Sequence, residues 1–529
     1  MRTAVFLVAL AATAQVRVAT DAGVLQGLST KDNQAVFLGI PFAAPPTGNL
    51  RWKPPQPVSH WPGVRPARTF GPACPQSDFE WMEDRFKEIA ADFPYYKNPR
   101  MDEDCLSLNV WSPMNSHKLP VMVWIHGGSN IAGVAALPPF GPKLARPGTH
   151  QAVVYVSLNY RLGALGFLAH PALTAESPQH SSGNYGILDL IAGLQWIHRN
   201  IAAFGGDPGN VTVFGESAGG VMICYLMASP QAQGLFHRAI LQSCTCRDYL
   251  SPELKRPIRF EFGHGSAEEA GLMLSRNLTD LRAKPAAEIV RASEKSILAF
   301  LYAGGTVDGW VITEQPALTF AAGRQARVPV LTGSNADEGT VTQVPTTLAG
   351  YRAWLEQQFD DHADDVFRAY PANSDADVRR AYLELTADYQ RAQTVRSVAR
   401  DTPRAGKAAY LYYFTYPPKG GYASEGLGTF HGLDLSFMGG GYFRPKRWRQ
   451  PDAQDRKLAE IMTAYWTQFA STGDPNRPGL PQWPVYDPAT DFALELGVNI
   501  KPISVPRAGR FTVFERILSE RLALATKVR

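Results

Sequence analysis

No stretch of this chain approaches the roughly 18 consecutive apolar residues that a membrane-spanning helix needs, so an integral membrane segment is not expected. Cysteine is scarce, at five in 529 residues. No pair has zinc-ligand spacing with a matching second pair, so no metal site is expected. An excess of either charge is also missing: 52 Lys and Arg stand against 48 Asp and Glu, and the net +4 is dispersed. That is the pattern of a solvated surface and not of a nucleic-acid footprint. Linkers, repeats and low-complexity segments are lacking, so residues 15–529 read as one domain despite the length. What remains is a globular composition, 45% hydrophobic and 19% charged, with ample chain for a large core.

The first residues carry a signal of their own. Met1-Arg-Thr3 is a short basic start, residues 4–12 are apolar, and Ala12-Thr-Ala14 fits a cleavage site before Gln15. Residues 1–14 therefore resemble a brief secretory signal peptide, and a secreted or periplasmic location is expected, with the cytoplasm as the alternative. Cys74 and Cys105 bracket a loop rich in charged and aromatic residues, which an exported protein could oxidise. Cys224, Cys244 and Cys246 sit in apolar surroundings and read as small buried hydrophobes.

Most of the chemistry is organised around Val211-Thr-Val-Phe-Gly-Glu-Ser-Ala-Gly-Gly220. The β-branched and aromatic run suits a buried strand, and residues 218–226 suit a helix. Between them Gly215-Glu-Ser-Ala-Gly219 fits G-x-S-x-G, a tight strand-to-helix turn that exposes one strained serine. The helix N-terminus below Ser217 points free N–H groups at developing negative charge. Further strands are expected at 106–111, 120–126, 152–158, 238–242, 328–333 and 409–416, with helical apolar spacing at 187–200, 458–470 and 513–525. Residues 22–64 read as a surface wrap with short antiparallel strands, 250–320 as chemically quiet, and 345–405 as helical and surface-rich.

Strands alternating with helices indicate an α/β sheet. Ser217, Glu338 and His431 each follow a predicted strand, and ligand sites in such sheets lie outside the carboxyl ends of the strands. Trp124-Ile-His-Gly-Gly-Ser129 places glycines directly after a strand, where backbone N–H groups can approach a ligand. A serine hydroxyl needs a base, and the base needs an orienting carboxylate. His126 suits a loop-shaping role, and His198 and His237 sit on helix or strand faces. His431 lies in a glycine-flanked loop in the right chain order. Asp337 and Glu338 are neighbours that this reasoning does not separate.

Phe204-Gly-Gly-Asp-Pro-Gly-Asn-Val-Thr-Val-Phe-Gly-Glu-Ser-Ala-Gly219 resembles the serine signature of the type-B carboxylesterase/lipase family, the cholinesterase-like α/β-hydrolases. Glu103-Asp-Cys-Leu106 with Asn109-Val-Trp111 resembles its second signature. Gly39-Ile-Pro-Phe42, Asn159-Tyr-Arg161, Gly183-Asn-Tyr-Gly186, Asp337-Glu-Gly339, His431-Gly432 and Thr472-Gly-Asp-Pro475 follow in family order. The resemblance implies the α/β-hydrolase fold, a mostly parallel central sheet with flanking helices and large insertions. It implies Ser217 as nucleophile, Glu338 as acid and His431 as base, with oxyanion donors at Gly128, Ser129 and Ala218. It also implies a Cys74–Cys105 disulfide, ion pairs Arg51–Glu103 and Arg161–Asp189, a small-molecule ester as partner, and no cofactor. Where the family commonly has a third small residue and then a large aromatic, this chain has Ser129 and Asn130. Asn130 is expected to bias the pocket toward polar or carboxylated acyl groups; Lys446, Arg447 and Arg449 either add positive potential or, the simpler reading, form a solvated loop. The rival role for Asn130 is a hydrogen bond within its own loop. The loop between Cys74 and Cys105 has no tryptophan at the spacing where cholinesterases bind choline, which argues against choline esters. The competing functions are a hydrolase for one bulky or polycarboxylic ester or amide, and a non-catalytic binding module. The oligomeric state is left open.

Overall fold

The computed structural model describes residues 15–76, 100–136, 141–146, 151–260, 263–294, 304–341, 344–419, 426–438 and 451–526. The expected signal segment, the choline-site spacing and residues Lys446, Arg447 and Arg449 lie outside them.

Among the described residues thirteen strands form one sheet. An antiparallel N-terminal portion comprises β1 (Gln15–Thr20), β2 (Gly23–Ser29) and β3 (Gln34–Pro41), with β4 (Val64–Pro66) alongside β2. It leads through β5 (Ser107–Pro113) into the parallel centre: β6 (Leu119–Ile125), β7 (Val154–Leu158), β8 (Gly206–Glu216), β9 (Arg238–Gln242), β12 (Val330–Asn335), β13 (Ala409–Phe414) and β14 (Phe492–Leu496). An antiparallel β15 (Ile500–Ser504) closes the far edge, and a separate hairpin pairs β10 (Ile258–Phe260) with β11 (Gly263–Gly265). The order across the sheet is β1-β2-β3-β5-β7-β6-β8-β9-β12-β13-β14-β15. This is the expected large, mostly parallel sheet with flanking helices, the architecture of the α/β-hydrolase fold.

Central strands buried on both faces read as near-continuous apolar runs: β6 is Leu-Pro-Val-Met-Val-Trp-Ile, and β7 is Val-Tyr-Val-Ser-Leu, with the Ser157 hydroxyl hydrogen-bonded to the Ala135 carbonyl. Successive side chains still alternate between faces. Val121, Val123 and Val156 join the core under helix Tyr185–Asn200, with Ile187, Leu190 and Leu194. Met122, Trp124 and Tyr155 join the core under helix Ala453–Thr472, with Leu458, Met462 and Trp466. Two helical layers thus enclose the sheet. A smaller core of Tyr351, Phe359, Tyr370 and Phe514 ties the terminal helix Thr512–Thr526 to the insertion helices, so that helix is docked, as its amphipathic pattern suggested.

Two expectations change. The strand leading to Ser217 begins at Gly206, earlier than its apolar run shows. The end of the 345–405 segment is not surface: helix Gln393–Asp401 buries Val395, Val398 and Asp401 against the sheet, because the insertion folds back over it.

Consecutive crossovers from β6 run in opposite directions, to β7 on one side and to β8 on the other. The crevice at the carboxyl ends of β6 and β8 is therefore a topological switch point, where α/β sheets bind ligands. The glycine loop after β6 and Ser217 after β8 both open there.

Candidate active site

Ser217 caps helix Ala218–Ala228 with φ 56° and ψ −125°. That is a strained backbone for a residue with a Cβ, and it persists only where the surroundings impose it. Here they do. The Ser217 N–H is held by the Gln242 carbonyl at 2.9 Å, and the Ser217 carbonyl accepts from Val221 at 3.0 Å. The helix runs close under β6: a Cβ on Gly219 would lie 2.0 Å from the Ile125 carbonyl oxygen. Only glycine allows that approach, so the turn cannot relax.

The loop after β6 lies against the same turn. A Cβ on Gly127 would meet the Glu216 carbonyl oxygen at 2.7 Å and the Ser217 Cβ at 3.3 Å. Gly128, Ser129 and Asn130 all have positive φ, at 106°, 54° and 56°. The carbonyl of Gly128 accepts from Ile131 and Ala132, and Gln76 clamps Gly133 through both its amide atoms. His126 is buried and stacked on Tyr160 at 4.5 Å, with Nδ1 2.9 Å from the Gly127 carbonyl oxygen. Burial pushes its pKa down to about 4, only partly offset by that hydrogen bond, so the ring is neutral and shapes the loop, as expected. Ala218 opens a helix, where N–H groups have no intrahelical acceptor.

His431 sits in the loop that follows β13. Its Nδ1 is 2.5 Å from Glu338 Oε2. Glu338 begins a short 3-10 turn directly after β12, and its Oε1 accepts from the Asn335 N–H (2.8 Å) and from Ser243 Oγ (2.6 Å). The two neighbouring acids thus have different tasks. Asp337 Oδ2 accepts from the N–H and the hydroxyl of Thr429, both at 2.8 Å, and braces the histidine loop without touching His431.

A third carboxylate, absent from the sequence argument, faces the imidazole from the other side. Glu216 Oε1 lies 3.2 Å from His431 Nε2, in ion-pair range but not aligned as a hydrogen bond, and Oε1 is buried without another partner. Among the described residues the ring nitrogens of His431 contact only these two carboxylates, and no hydrogen bond to Ser217 Oγ is formed. Burial alone would lower the His431 pKa, but the charges of Glu216 and Glu338, together with the Glu338 hydrogen bond, outweigh it and raise the pKa above its ordinary value. For Glu338, burial favours the neutral acid, but His431, Arg391 and Ser243 outweigh it and hold the carboxyl below its usual range. Burial dominates at Glu216 and pushes it up to about 7. Beneath lies Asp434, fully buried, which accepts from Gln242 Nε2 and the Tyr412 hydroxyl, both at 2.8 Å. Burial raises its pKa. Two sequence signals could have exposed these groups: Glu216 is a charge at the end of the Val211–Gly215 run that leads into the elbow, and Asp434 follows His431 by one 3-10 turn.

The supporting contacts implied by the resemblance are present. Cys74 and Cys105 form a disulfide. Arg51 holds Glu103 and also donates to the carbonyls of Arg282 and Lys284. Arg161 grips Asp189 with two bonds of 2.7 Å in full burial. Cys224, read from sequence as a small hydrophobe, is disulfide-bonded, whereas Cys244 is a buried free thiol. Asn130 is fully buried, and its Oδ1 lies 3.0 Å from the Tyr160 hydroxyl.

Comparison with known proteins identifies the family. The model of the Carboxylesterase family matches residues 13–508. A "Fumonisin B1 esterase" of Sphingopyxis macrogoltabida is 38% identical over 491 residues, spanning 88% of this chain and 84% of that protein. The "Para-nitrobenzyl esterase" of Bacillus subtilis is 32% identical over 497 residues, spanning 91% and 95%. "Liver carboxylesterase 1" of Oryctolagus cuniculus is 32% identical over 500 residues, spanning 86% and 84%. With the sheet, the strained serine and the imidazole–carboxylate pair at one switch point, the chain belongs to the carboxylesterase family and is a carboxylic ester hydrolase.

Proposed function

We propose that the protein is a serine carboxylesterase working through a Ser217–His431–Glu338 triad and an acyl-enzyme intermediate. The observation that carries this is the 2.5 Å contact between His431 Nδ1 and Glu338, set beside a serine in a strained elbow. His431 Nε2 takes the proton of Ser217 as Oγ adds to the ester carbonyl. Glu338 fixes the tautomer that leaves Nε2 free to do so and stabilises the imidazolium. The N–H groups of Gly128, Ser129 and Ala218 hold the oxyanion, each worth roughly 3–4 kcal/mol. The C–O bond to the alcohol then breaks, His431 protonates the departing oxygen, and water repeats the sequence to release the acid and restore Ser217. For this step the imidazole must turn its Nε2 from Glu216 to Ser217, and catalytic hydrogen bonds commonly tighten on substrate binding.

The disulfide supports export of the protein, since such bridges persist in oxidising compartments. The name of the fumonisin relative makes fumonisin esters a substrate to include beside simple alkyl and aryl esters. Labelling with a fluorophosphonate probe tests the nucleophile. Wild type should be labelled and Ser217→Ala should not, with hydrolysis of a 4-nitrophenyl ester falling on the order of 10⁴–10⁶-fold. Substantial activity in a folded Ser217→Ala would refute the triad.

A further inference from the structure

We propose that Arg391 is a specificity residue that docks a carboxylate carried by the ester substrate. Arg391 lies in a π-helical turn, Asp388–Ala392, inserted between helices Asp375–Ala387 and Gln393–Asp401. Such turns are rare and recur at functional sites, because the extra residue re-aims a side chain. This one is fixed firmly from its outer side. Asp388 is fully buried and accepts two 2.7 Å bonds from Arg507 and one of 3.0 Å from the Tyr370 hydroxyl. The Tyr389 ring packs on Phe359 at 4.8 Å and on Phe514 at 4.9 Å. On its inner side the turn packs against β12, the strand that leads to Glu338.

Arg391 is half-buried there. Nearby arginines are paired: Arg396 with Asp491, Arg400 with Glu515, Arg507 with Asp388. Arg391 has no ion pair among the described residues, and its guanidinium makes one hydrogen bond, to the Gln390 carbonyl at 3.0 Å. Its turn packs against the strand that leads to Glu338, and in keeping with that packing its charge acts on Glu216, Glu338, His431 and Cys244. A guanidinium carries five donors in a planar fork that matches a carboxylate. Arg391 holds that fork partly desolvated, on the turn packed against the strand that leads to Glu338. It also supplies the countercharge an anionic substrate needs, since Glu216, Glu338 and Asp434 would otherwise repel it.

This rests on the proposed site, so the test separates the two. The anion could sit on the acyl or the alcohol half, and two matched pairs distinguish these. For the acyl half, 4-nitrophenyl hydrogen glutarate is compared with 4-nitrophenyl pentanoate. For the alcohol half, the butyrate ester of 4-hydroxyphenylacetic acid is compared with its methyl ester. The readout is the ratio of kcat/KM for charged over neutral substrate in wild type, Arg391→Met and Arg391→Lys. In one pair the ratio should fall about ten- to a hundredfold in Arg391→Met, as expected for lost hydrogen bonds to a charged group, and by less in Arg391→Lys. Ratios that stay constant in both pairs overturn the proposal, because Arg391 would then only tune the field around His431. Neutral-ester hydrolysis that survives Ser217→Ala would instead defeat the triad and leave the Arg391 ratio to be judged on its own.

Discussion

Replacing Glu338 by Gln removes one charge and almost no volume, so its effect can be worked from the hydrogen bonds alone. Three donors converge on the carboxylate: the Asn335 N–H and Ser243 Oγ on Oε1, and His431 Nδ1 on Oε2. A glutamine has a single oxygen. If that oxygen stays with Asn335 and Ser243, the new NH₂ faces Nδ1 and forces the imidazole proton onto Nε2, the nitrogen that must act as base. If the amide flips, two buried donors lose their acceptor, at about 1–3 kcal/mol each. The first arrangement leaves fewer groups unsatisfied and is the one expected. The equivalent tautomer reversal in a serine protease triad costs on the order of 10⁴ in kcat. Asp337→Asn is the matched control. An amide oxygen can still accept from Thr429, so only the charged component of that brace is lost, about tenfold or less in rate. The assay is kcat/KM on a 4-nitrophenyl ester from pH 6 to 9, with thermal unfolding to confirm folding. The Glu338→Gln deficit should persist across the range, because a wrong tautomer is not titrated away. A larger loss in Asp337→Asn than in Glu338→Gln would refute the reasoning.

Glu216→Gln should move the acid limb of kcat/KM to lower pH, because one of the two carboxylates that raise the His431 pKa is gone; an unmoved limb, or one moved upward, counts against that coupling. In wild type the raised Glu216 pKa means the folded state keeps a proton that the unfolded chain loses above its ordinary 4.5. Stability should therefore decline as pH rises toward about 7, and chemical denaturation of Glu216→Gln should show a flatter profile. Replacing Cys74 and Cys105 together by serine opens a loop with a sequence separation of 31 and should cost roughly 3–4 kcal/mol of unfolding free energy; an unchanged value would show that the bridge does not constrain the unfolded chain. For Asn130→Phe, a bias toward polar acyl groups predicts that kcat/KM shifts in favour of alkyl over carboxylated esters, whereas an unchanged ratio assigns the amide to its contact with Tyr160 alone.

The sheet was legible because its strands obey simple rules. β6, β7 and β9 are short apolar runs bounded by turn residues, and the structure has them almost where the pattern puts them. The elbow was legible because its steric demands allow few residues: a Cβ at Gly219 meets backbone, not a movable side chain. The insertion that buries helix Gln393–Asp401 was not legible, since that helix carries Arg396 and Arg400 and reads as a surface element. Its charges are satisfied by Asp491 and Glu515, which lie far along the chain. Cys224 was misread for the same reason. An apolar context is equally compatible with a buried thiol and with a disulfide, and only the fold decides between them.

Asp337 and Glu338 show most clearly why the site needed coordinates. They are adjacent, equally acidic, and both placed after β12. What separates them is the direction each takes as the strand gives way to a 3-10 turn. The turn is set by the neighbouring strand end. Ser243, just past β9, is fully buried at φ 52°, donates its N–H to Gly333 and its hydroxyl to Glu338. β9 contributes no group to the proposed chemistry, yet it lies between the strand of the nucleophile and the strand of the acid. Gln242, at its end, holds the Ser217 N–H through its carbonyl and Asp434 through its side chain. Five strands in sheet order, β6, β8, β9, β12 and β13, therefore deliver the proposed oxyanion loop, nucleophile, brace, acid and base loop along one edge. Strand spacing in a sheet is nearly constant, at about 4.8 Å, so the distance from nucleophile to acid is fixed by the strand between them. The Glu338 carboxylate meets His431 with its Oε2, and Ser243, just past β9, is the group that holds its Oε1.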